Sequence, residues 1–388
     1  MVLDLARIED WLTVRALPLW GGAGWDDVHG GFFDRLTLEE SGQDPEPVLE
    51  ENGAPAGKRL RVQARQIYVY SHAGFLGFDS AGAERAASGF EFMTAHYWHE
   101  AGGWIFEAAR DGRPKDMRRD LYEQAFALYA LAWYHKVSGS DAALEWVEKT
   151  VQFLDGQKAD AVHGGYWDDE IGALPRCQNP HMHLLEAWLA LHGATGHGEY
   201  LSRAKAVVDL FENRFFDAAT GTLGEYFAAD WSPAAGAEGQ IVEPGHHFEW
   251  VWLLSWFAVV AGRDMSSAAK RLDEFAMAHG VDGDGLAFDA VTRDGVVLRD
   301  DKRLWVQTEA LMAAASLYET TGDMAYGLRA ETIVAQLFKH YLVGGRGHWQ
   351  DHIHRDGTGF MDQSPATSFY HVFAAFSETL RVFGDAPG

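Results

Sequence analysis

The sequence predicts an all-α fold, an (α/α)6 barrel of twelve helices with short β-hairpins on the mouth side. Three observations lead to this prediction. A glycine–aromatic motif recurs along the chain, a long apolar segment of helical character follows each motif, and an amphipathic segment follows each apolar one. No proline- or serine-rich linker separates the units, so we expect residues 1–388 to form one domain.

The repeat is visible in the positions of the glycines. The motif glycines lie at 31, 103, 165, 221, 285 and 347, and successive differences are 72, 62, 56, 64 and 62 residues. Asp-Gly pairs at 111–112, 294–295 and 356–357 follow alternating apolar residues. This pattern is typical of tight β-hairpins, because their turns need a positive φ. The spacing therefore predicts six helix pairs joined by short hairpins.

Two kinds of helical segment alternate. The nearly apolar segments should be buried on every side and end at glycines suited to a left-handed cap. They cover residues 121–139, 180–196, 246–262, 304–322 and 368–384. Amphipathic segments, such as 201–215 and 325–341, and an N-terminal helix over 4–17 complete the set. Concentric inner and outer rings bury the apolar segments better than the alternative, a linear solenoid of six helix pairs.

Composition excludes several classes of protein. The chain has 57 acidic and 32 basic residues, so that 32 − 57 gives a net charge of −25, which repels nucleic acids and anionic membranes. No apolar run is long enough to span a bilayer, and the first residues contain acids and no apolar signal core. We therefore expect a cytoplasmic protein. The single cysteine, Cys177, excludes an internal disulfide and a cysteine-based zinc cage.

Polar residues at the starts of the apolar helices form a second periodic series. Its lead positions are 65, 124, 183, 246, 307 and 371, with differences of 59, 59, 63, 61 and 64. In a closed ring these helix starts surround one mouth, so we expect the series to meet in one site. Its members are Arg65, Gln66, Tyr122, Gln124, His183, Glu186, His246, Glu249, Trp305, Gln307, Glu309, Tyr370 and His371.

Two members of the series pair histidine with glutamate three residues later, on one helical face. These are His183 with Glu186 and His246 with Glu249. A carboxylate fixes the tautomer of an imidazole and raises its pKa, which suits a general acid or base near neutral pH. A buried histidine that a local glutamate merely satisfies is the alternative. Helical phase with Glu249 favours His246 over its neighbour His247 as the inward-facing residue.

Other chemistries lack the residues they need. The chain has no His-Glu-x-x-His motif, and the arginines, glutamines and aromatics of the series are poor metal ligands, so we predict no metal. No Gly-x-Gly-x-x-Gly, phosphate loop or Gly-x-Ser-x-Gly elbow occurs, and we predict no cofactor. Flat rings such as Trp305, beside arginine, glutamine and glutamate, suit the face and hydroxyls of a sugar. The predicted partner is a small sugar.

Five segments carry a resemblance to a known family. They are Arg-Val-Gln-Ala-Arg-Gln at 61–66, Asn-Pro-His-Met-His-Leu-Leu-Glu-Ala at 179–187, Pro-Gly-His-His-Phe-Glu-Trp at 244–250, Leu-Trp-Val-Gln-Thr-Glu at 304–309 and Ser-Phe-Tyr-His at 368–371. They resemble the N-acylglucosamine 2-epimerase family, which includes cellobiose 2-epimerases and aldose–ketose isomerases of the mannose and sulfoquinovose types. The family fold is an (α/α)6 barrel.

The resemblance implies metal-independent proton transfer through a cis-enediol or enediolate. It assigns His246 and His371 as the acid/base pair beside C1 and C2 of the opened sugar, and His183 to ring opening or sugar positioning. Glu249 would orient His246, and Arg65 would stabilise the enediolate oxygen. The residues expected to bind the sugar are Tyr122, Gln124, Asn179, Glu186, Trp305, Gln307, Glu309 and Tyr370.

An isomerase of the mannose/fructose type is the favoured function. A 2-epimerase of the N-acylglucosamine or cellobiose type is the main alternative. A glycoside hydrolase would need two carboxylates astride the bond, for which Glu123, Glu186, Glu249 and Glu309 are candidates. A non-catalytic sugar-binding protein is a further alternative. The chain is expected to be a monomer or a homodimer.

Overall fold

The computed structural model describes residues 3–38 and 44–384, and within them twelve helices form two concentric rings. The inner ring comprises α2 (Leu60–Leu76), α4 (Leu121–Ser138), α6 (Asn179–Thr195), α8 (Pro244–Ala261), α10 (Leu304–Thr321) and α12 (Phe369–Phe383). The outer ring comprises α1 (5–21), α3 (Gly82–His96), α5 (141–158), α7 (198–215), α9 (Ser266–His279) and α11 (324–341). Four outer helices contain a π-helical segment, at Trp11–Ala16, Leu154–Lys158, Phe211–Phe215 and Leu337–Tyr341. The all-α prediction is confirmed.

The inner ring is closed. Each inner helix contacts the next, and α12 contacts α2. Near the ends of the described chain, β1 (Arg35–Thr37) pairs antiparallel with β16 (Gln363–Pro365). The Trp20 indole nitrogen also donates to the carbonyl oxygen of Gly347 at 3.1 Å. These contacts join the first repeat to the last, as a barrel requires and a linear solenoid does not.

Short strands lie at the end of the ring where the inner helices begin, since β4 (Gly57–Arg59) leads directly into α2 and β14 (Lys302–Arg303) into α10. The remaining strands are β2 (Glu50–Glu51), β3 (Ala54–Pro55), β4 (Gly57–Arg59), β5 (Glu107–Ala109), β6 (Pro114–Asp116), β7 (Arg176–Cys177), β8 (Phe216–Asp217), β9 (Thr222–Leu223), β10 (Tyr226–Phe227), β11 (Ile241–Val242), β12 (Ala290–Thr292), β13 (Val297–Arg299), β14 (Lys302–Arg303) and β15 (His352–Ile353). The sheets are β4–β5–β6, β11–β12–β13 and the pairs β1–β16, β2–β3, β7–β10, β8–β9 and β14–β15. Several of these pairings link one repeat to the next.

Two of the three predicted hairpins form as expected. The turn at 111–112 joins β5 to β6, and the turn at 294–295 joins β12 to β13. The third turn also forms, with φ of +87° at Gly357. There, however, β15 pairs with β14 of the preceding repeat, and only an isolated bridge between Ile353 and Gly359 closes the hairpin.

Burial separates the two rings as the apolar pattern predicts. In α8, Phe248, Trp250, Val251 and Leu253 are all buried, so that this helix is enclosed on nearly every side. In α5, by contrast, the buried side chains of the segment 141–153 form a single stripe. Within the described ranges, no helix combines the length and apolar character needed to span a bilayer.

Left-handed glycines end most inner helices. Gly139, Gly196, Gly262 and Gly322 have φ of +67°, +73°, +65° and +71° directly after α4, α6, α8 and α10. Glycine takes this conformation without steric cost, which lets the chain reverse into the following outer helix. Gly384 differs from the prediction, with φ of −70°. Its helix, α12, packs on α1, so no reversal is needed there.

Side chains in the first turns of five inner helices anchor the hairpins through the backbone. In three repeats a glutamine accepts from the N–H and donates to the C=O of one hairpin residue: Gln63 with Phe32, Gln124 with Trp104 and Gln307 with Ala287. In two repeats a histidine Nε2 accepts from the N–H: His181 from Tyr166 and His247 from Leu223. We call these five the anchor residues. The hairpin residue that each anchor residue holds lies one or two positions after a motif glycine, so anchoring recurs with the motif.

Replacing an anchor residue should destabilise the barrel without touching the mouth. In Gln124→Leu, the buried N–H and C=O of Trp104 lose their partners, so we expect the free energy of unfolding to fall by about 1–3 kcal/mol. Urea unfolding followed by circular dichroism measures this. Gln152→Leu, the same change at an exposed position, is the matched control. Equal stability of the two variants would contradict the anchoring role.

Candidate active site

One cavity of about 480 Å³ lies at the mouth of the barrel, and every repeat contributes to it. Eight predicted site residues line it: Arg65, Tyr122, Asn179, His183, His246, Glu249, Trp305 and His371. They come from all six inner helices, although more than three hundred positions separate the first from the last in the sequence. Ring closure therefore brings most of the polar series together, as expected.

His246 lies in the first turn of α8, and its imidazole points back toward the segments before the helix. Nδ1 is 2.8 Å from Glu225 Oε2 and 3.6 Å from Glu243 Oε2. Burial alone would lower the pKa of His246, but the two carboxylates outweigh burial and raise it to about 9. His246 is therefore an imidazolium at neutral pH.

The predicted partner of His246, Glu249, lies elsewhere. Its Oε1 is 3.6 Å from His183 Nδ1, on the neighbouring inner helix. His246 and Glu249 are three residues apart on α8, but helical side chains lean toward the N-terminus of their helix, so His246 instead reaches Glu225 in the hairpin and Glu243 just before α8. No acid immediately precedes α6, and there His183 does pair with Glu186, at 3.2 Å.

His371 is held by a different carboxyl group. Its Nδ1 lies 2.7 Å from Glu309 Oε1, and Glu309 Oε2 accepts from the Trp252 indole at 2.7 Å. Burial, followed by the positive charge of Arg65, lowers the pKa of His371 well below its usual value. One cavity thus contains a cationic imidazole and a neutral one.

Three buried carboxyl groups lie beside the imidazoles of His183 and His371. Burial raises the pKa of Glu186 to about 7 and that of Glu309 to about 8. Burial and the charges of these two neighbours raise the pKa of Glu249 well above its usual value. Tyr370 donates its hydroxyl to Glu186. Glu186, Glu309 and Tyr370 thus lie behind the imidazoles, not in the lining of the cavity.

Arg65 presents a fixed positive charge. Its guanidinium donates to the carbonyl oxygen of Thr367 at 2.9 Å and to the Tyr122 hydroxyl at 2.7 Å. It also lies over the Phe126 ring, with its central carbon 4.2 Å from the ring centroid. In the part of the chain that the structure describes, no carboxylate pairs with it. Its charge is therefore available to an anionic intermediate.

Trp305 lies between the imidazoles of His246 and His371. Its ring centroid is 5.2 Å from that of His246 and 5.6 Å from that of His371. The indole ring of Trp305 provides an apolar face, and hydrogen-bonding imidazoles lie on either side of it. A sugar presents matching C–H and hydroxyl surfaces.

Gln124 and Gln307 lie outside the cavity, in contrast to their expected role in sugar binding. Both are anchor residues whose amides are taken up by the hairpin backbone. They appeared in the polar series because anchoring recurs with the same period as the cavity residues. His247 is an anchor residue too, so His246 is the one that faces the cavity.

Several cavity residues were not predicted as site residues. They are Arg59, Arg61, Cys177, Pro180, Glu225, Tyr226, Glu243, Arg303, Asp351, Thr367 and Ser368. Many of them lie in the two or three positions before an inner helix. Their position in the sequence, just before a predicted inner helix, could have identified them as cavity residues. Among the residues described, no three histidine, cysteine or acidic side chains are arranged to hold a metal ion.

Comparison with known proteins identifies relatives along most of the chain. A family model described as N-acylglucosamine 2-epimerase (GlcNAc 2-epimerase) matches residues 31–375. A mannose-6-phosphate isomerase of Rhizobium meliloti is 35% identical over 385 residues, with 97% of this chain and 96% of that protein covered. A cellobiose 2-epimerase of Bacteroides fragilis is 25% identical, with 93% of each chain covered.

Solved structures show the same fold. The cellobiose 2-epimerase of Spirochaeta thermophila superposes with a TM-score of 0.83 at 25% identity, covering 97% of this chain and 96% of that one. The structural match spans the helices of both rings.

Proposed function

Because this chain belongs to the N-acylglucosamine 2-epimerase family of sugar isomerases and epimerases, we propose that it interconverts an aldose and a ketose of the mannose/fructose type. One observation carries the proposal: a cationic and a neutral imidazole, His246 and His371, face one cavity beside the unpaired charge of Arg65. Removal of the C2 proton of an aldose needs these three things, namely a base, an acid and a donor for the new oxyanion.

In the proposed reaction the sugar ring opens first, and neutral His183 moves a proton from the anomeric hydroxyl to the ring oxygen. His371, being neutral, then accepts the C2 proton. Arg65 stabilises the negative charge that develops on the oxygen, and the intermediate is a cis-enediolate. His246 donates a proton to O1 and takes up the proton of the O2 hydroxyl, and return of the first proton to C1 by His371 gives the ketose.

The epimerase alternative is supported by the same pair of imidazoles. A proton delivered by the cation His246 to the opposite face of C2 would give the 2-epimer. The greater identity to the relative named as an isomerase favours the ketose product. The hydrolase alternative has less support, since Glu249 is the one of its four candidate glutamates that lines the cavity.

The charges around the cavity favour an unphosphorylated sugar. Arg59 pairs with Asp34, Arg61 Nε lies 2.5 Å from Glu123, and Arg303 pairs with Asp289. These carboxylates pair with three of the four arginines that line the cavity, and the fourth, Arg65, is assigned to the enediolate. A phosphate group would have to compete with these carboxylates for the arginines. A neutral hexose carries no charge and needs no such partner.

A panel of sugars in D2O followed by NMR tests the proposed function. The panel contains mannose, mannose 6-phosphate, N-acetylglucosamine and cellobiose. We expect mannose to give fructose, with EDTA present and no metal added, because the proposed acid, base and oxyanion donor are all side chains. Mannose 6-phosphate should react more slowly. A new aldose would instead indicate an epimerase, and a panel of unchanged spectra, without deuterium on carbon, would contradict both functions.

Removing either imidazole should abolish most of the activity. We expect His246→Ala and His371→Ala each to lower kcat by at least about a hundredfold, since general acid/base groups contribute that much or more. His197→Ala, at an exposed position, is the control and should keep wild-type rates. A folded variant at either cavity position with near-normal kcat would remove that residue from the mechanism.

A cytoplasmic location, a role in carbohydrate metabolism and a single domain over 1–388 stay predictions from the sequence.

A further inference from the structure

His246 is held by a network of buried hydrogen bonds. The network begins at Trp250 on the same helix and reaches His246 through Gln178 and Glu225. The Trp250 indole donates to Gln178 Oε1 at 2.8 Å, and Gln178 Nε2 donates to Glu225 Oε2 at 3.1 Å. The same Glu225 oxygen lies 2.8 Å from His246 Nδ1. All four residues are at most 6% exposed. Glu225 is therefore fixed in place by neighbours other than the histidine.

We propose that Glu225 is a positioning residue for His246: its carboxylate accepts a hydrogen bond from Nδ1, turns Nε2 toward the cavity and holds the imidazole in its cationic form. The inference rests on the proposed function, in which His246 is the general acid. Nε2 has no hydrogen bond to any residue of the described ranges, so this nitrogen can meet the sugar. The family resemblance implied Glu249 for this task, and the geometry points to Glu225.

Charged and titratable groups face His246 from several elements. They are Glu225 before β10, Glu243 before α8, Arg303 before α10, Glu309 on α10, His183 on α6 and His371 on α12. Arg303 opposes the positive charge on His246. The two histidines are themselves neutral, because burial lowers the pKa of each. The carboxylates therefore determine the protonation of His246.

Of the two nearer carboxylates, Glu225 is the better placed to hold the charge. Burial would raise its pKa, but the cation of His246 outweighs burial and the pKa of Glu225 is lowered. Glu243 lies farther from Nδ1 and is shared with Arg299, 3.2 Å away. Burial raises the pKa of Glu243. Glu225 and His246 thus form the ion pair, and Glu243 has a supporting role.

The test compares Glu225→Gln and Glu225→Asp with the wild type over a range of pH. In the wild type, kcat/KM should fall as pH rises through about 9, where His246 loses its proton. Glu225→Gln removes the charge but keeps the shape, so this alkaline limb should move to lower pH by about 1–3 units. At pH 8 the loss of rate should be about tenfold if the shift is about two units. Glu225→Asp should show a smaller shift.

Glu238→Gln is the matched control, because it makes the same change at an exposed position between the same two helices. It should keep the wild-type profile. Two outcomes would overturn the proposal: a Glu225→Gln enzyme with the wild-type profile, or one that loses rate equally at every pH with its alkaline limb unmoved. The second would indicate a merely structural role.

Titration of the His246 ring by NMR gives a readout that needs no turnover. Its resonance is identified by its loss in His246→Asn. Its pKa should be lower in Glu225→Gln than in the wild type, and Glu225→Asp replaces that variant if it does not fold. Equal pKa values would overturn the proposal. If no sugar reacts with the wild type, the proposed function fails, and the titration still tests whether Glu225 holds the proton.

Discussion

Closure of the inner ring is the constraint on which the rest of the structure depends. Each inner helix contributes only one to three side chains to the cavity, so an open arrangement would leave the acid, the base and the oxyanion donor on separate surfaces. The pairing of β1 with β16 and the contact of α12 with α2 bring the last repeat against the first. Arg65, near one end of the chain, then donates to Thr367, near the other.

The same helical turns perform both structural and chemical tasks. In α6, His181 anchors a hairpin while His183 faces the cavity, and in α8 the adjacent pair His247 and His246 divides the tasks in the same way. Successive residues in a helical turn point in different directions, so one turn can hold the preceding hairpin and still present a group to the mouth. A shift of this turn would move both functions together.

Electrostatics gives the imidazoles of His246 and His371 different roles. Burying charge is costly unless it is paired, and the site limits this cost by keeping several of its groups neutral. The carboxyl groups of Glu186, Glu249 and Glu309 all have raised pKa values, which leaves His371 without a strong anion beside it. The pKa of Glu225, by contrast, is lowered, and its partner His246 carries the positive charge.

The sequence predicts the fold well and the site in part, for physical reasons that differ between residues. Glycine–aromatic motifs and apolar helices recur with one period, so the six repeats and the cavity histidines could be inferred from spacing. Gln124 and Gln307 follow that period as well, because anchoring repeats with the fold. Glu225 could not be inferred, because it reaches His246 from a hairpin 21 positions earlier and no helical spacing connects them.

The most direct test of the account is a crystal structure of the chain with mannitol, an open-chain polyol that cannot react because it has no carbonyl group. We predict that its terminal two carbons lie between His246 and His371, with an oxygen within hydrogen-bonding distance of Arg65. A polyol bound away from both imidazoles, or coordinates in which the two histidines do not share a cavity, would contradict it.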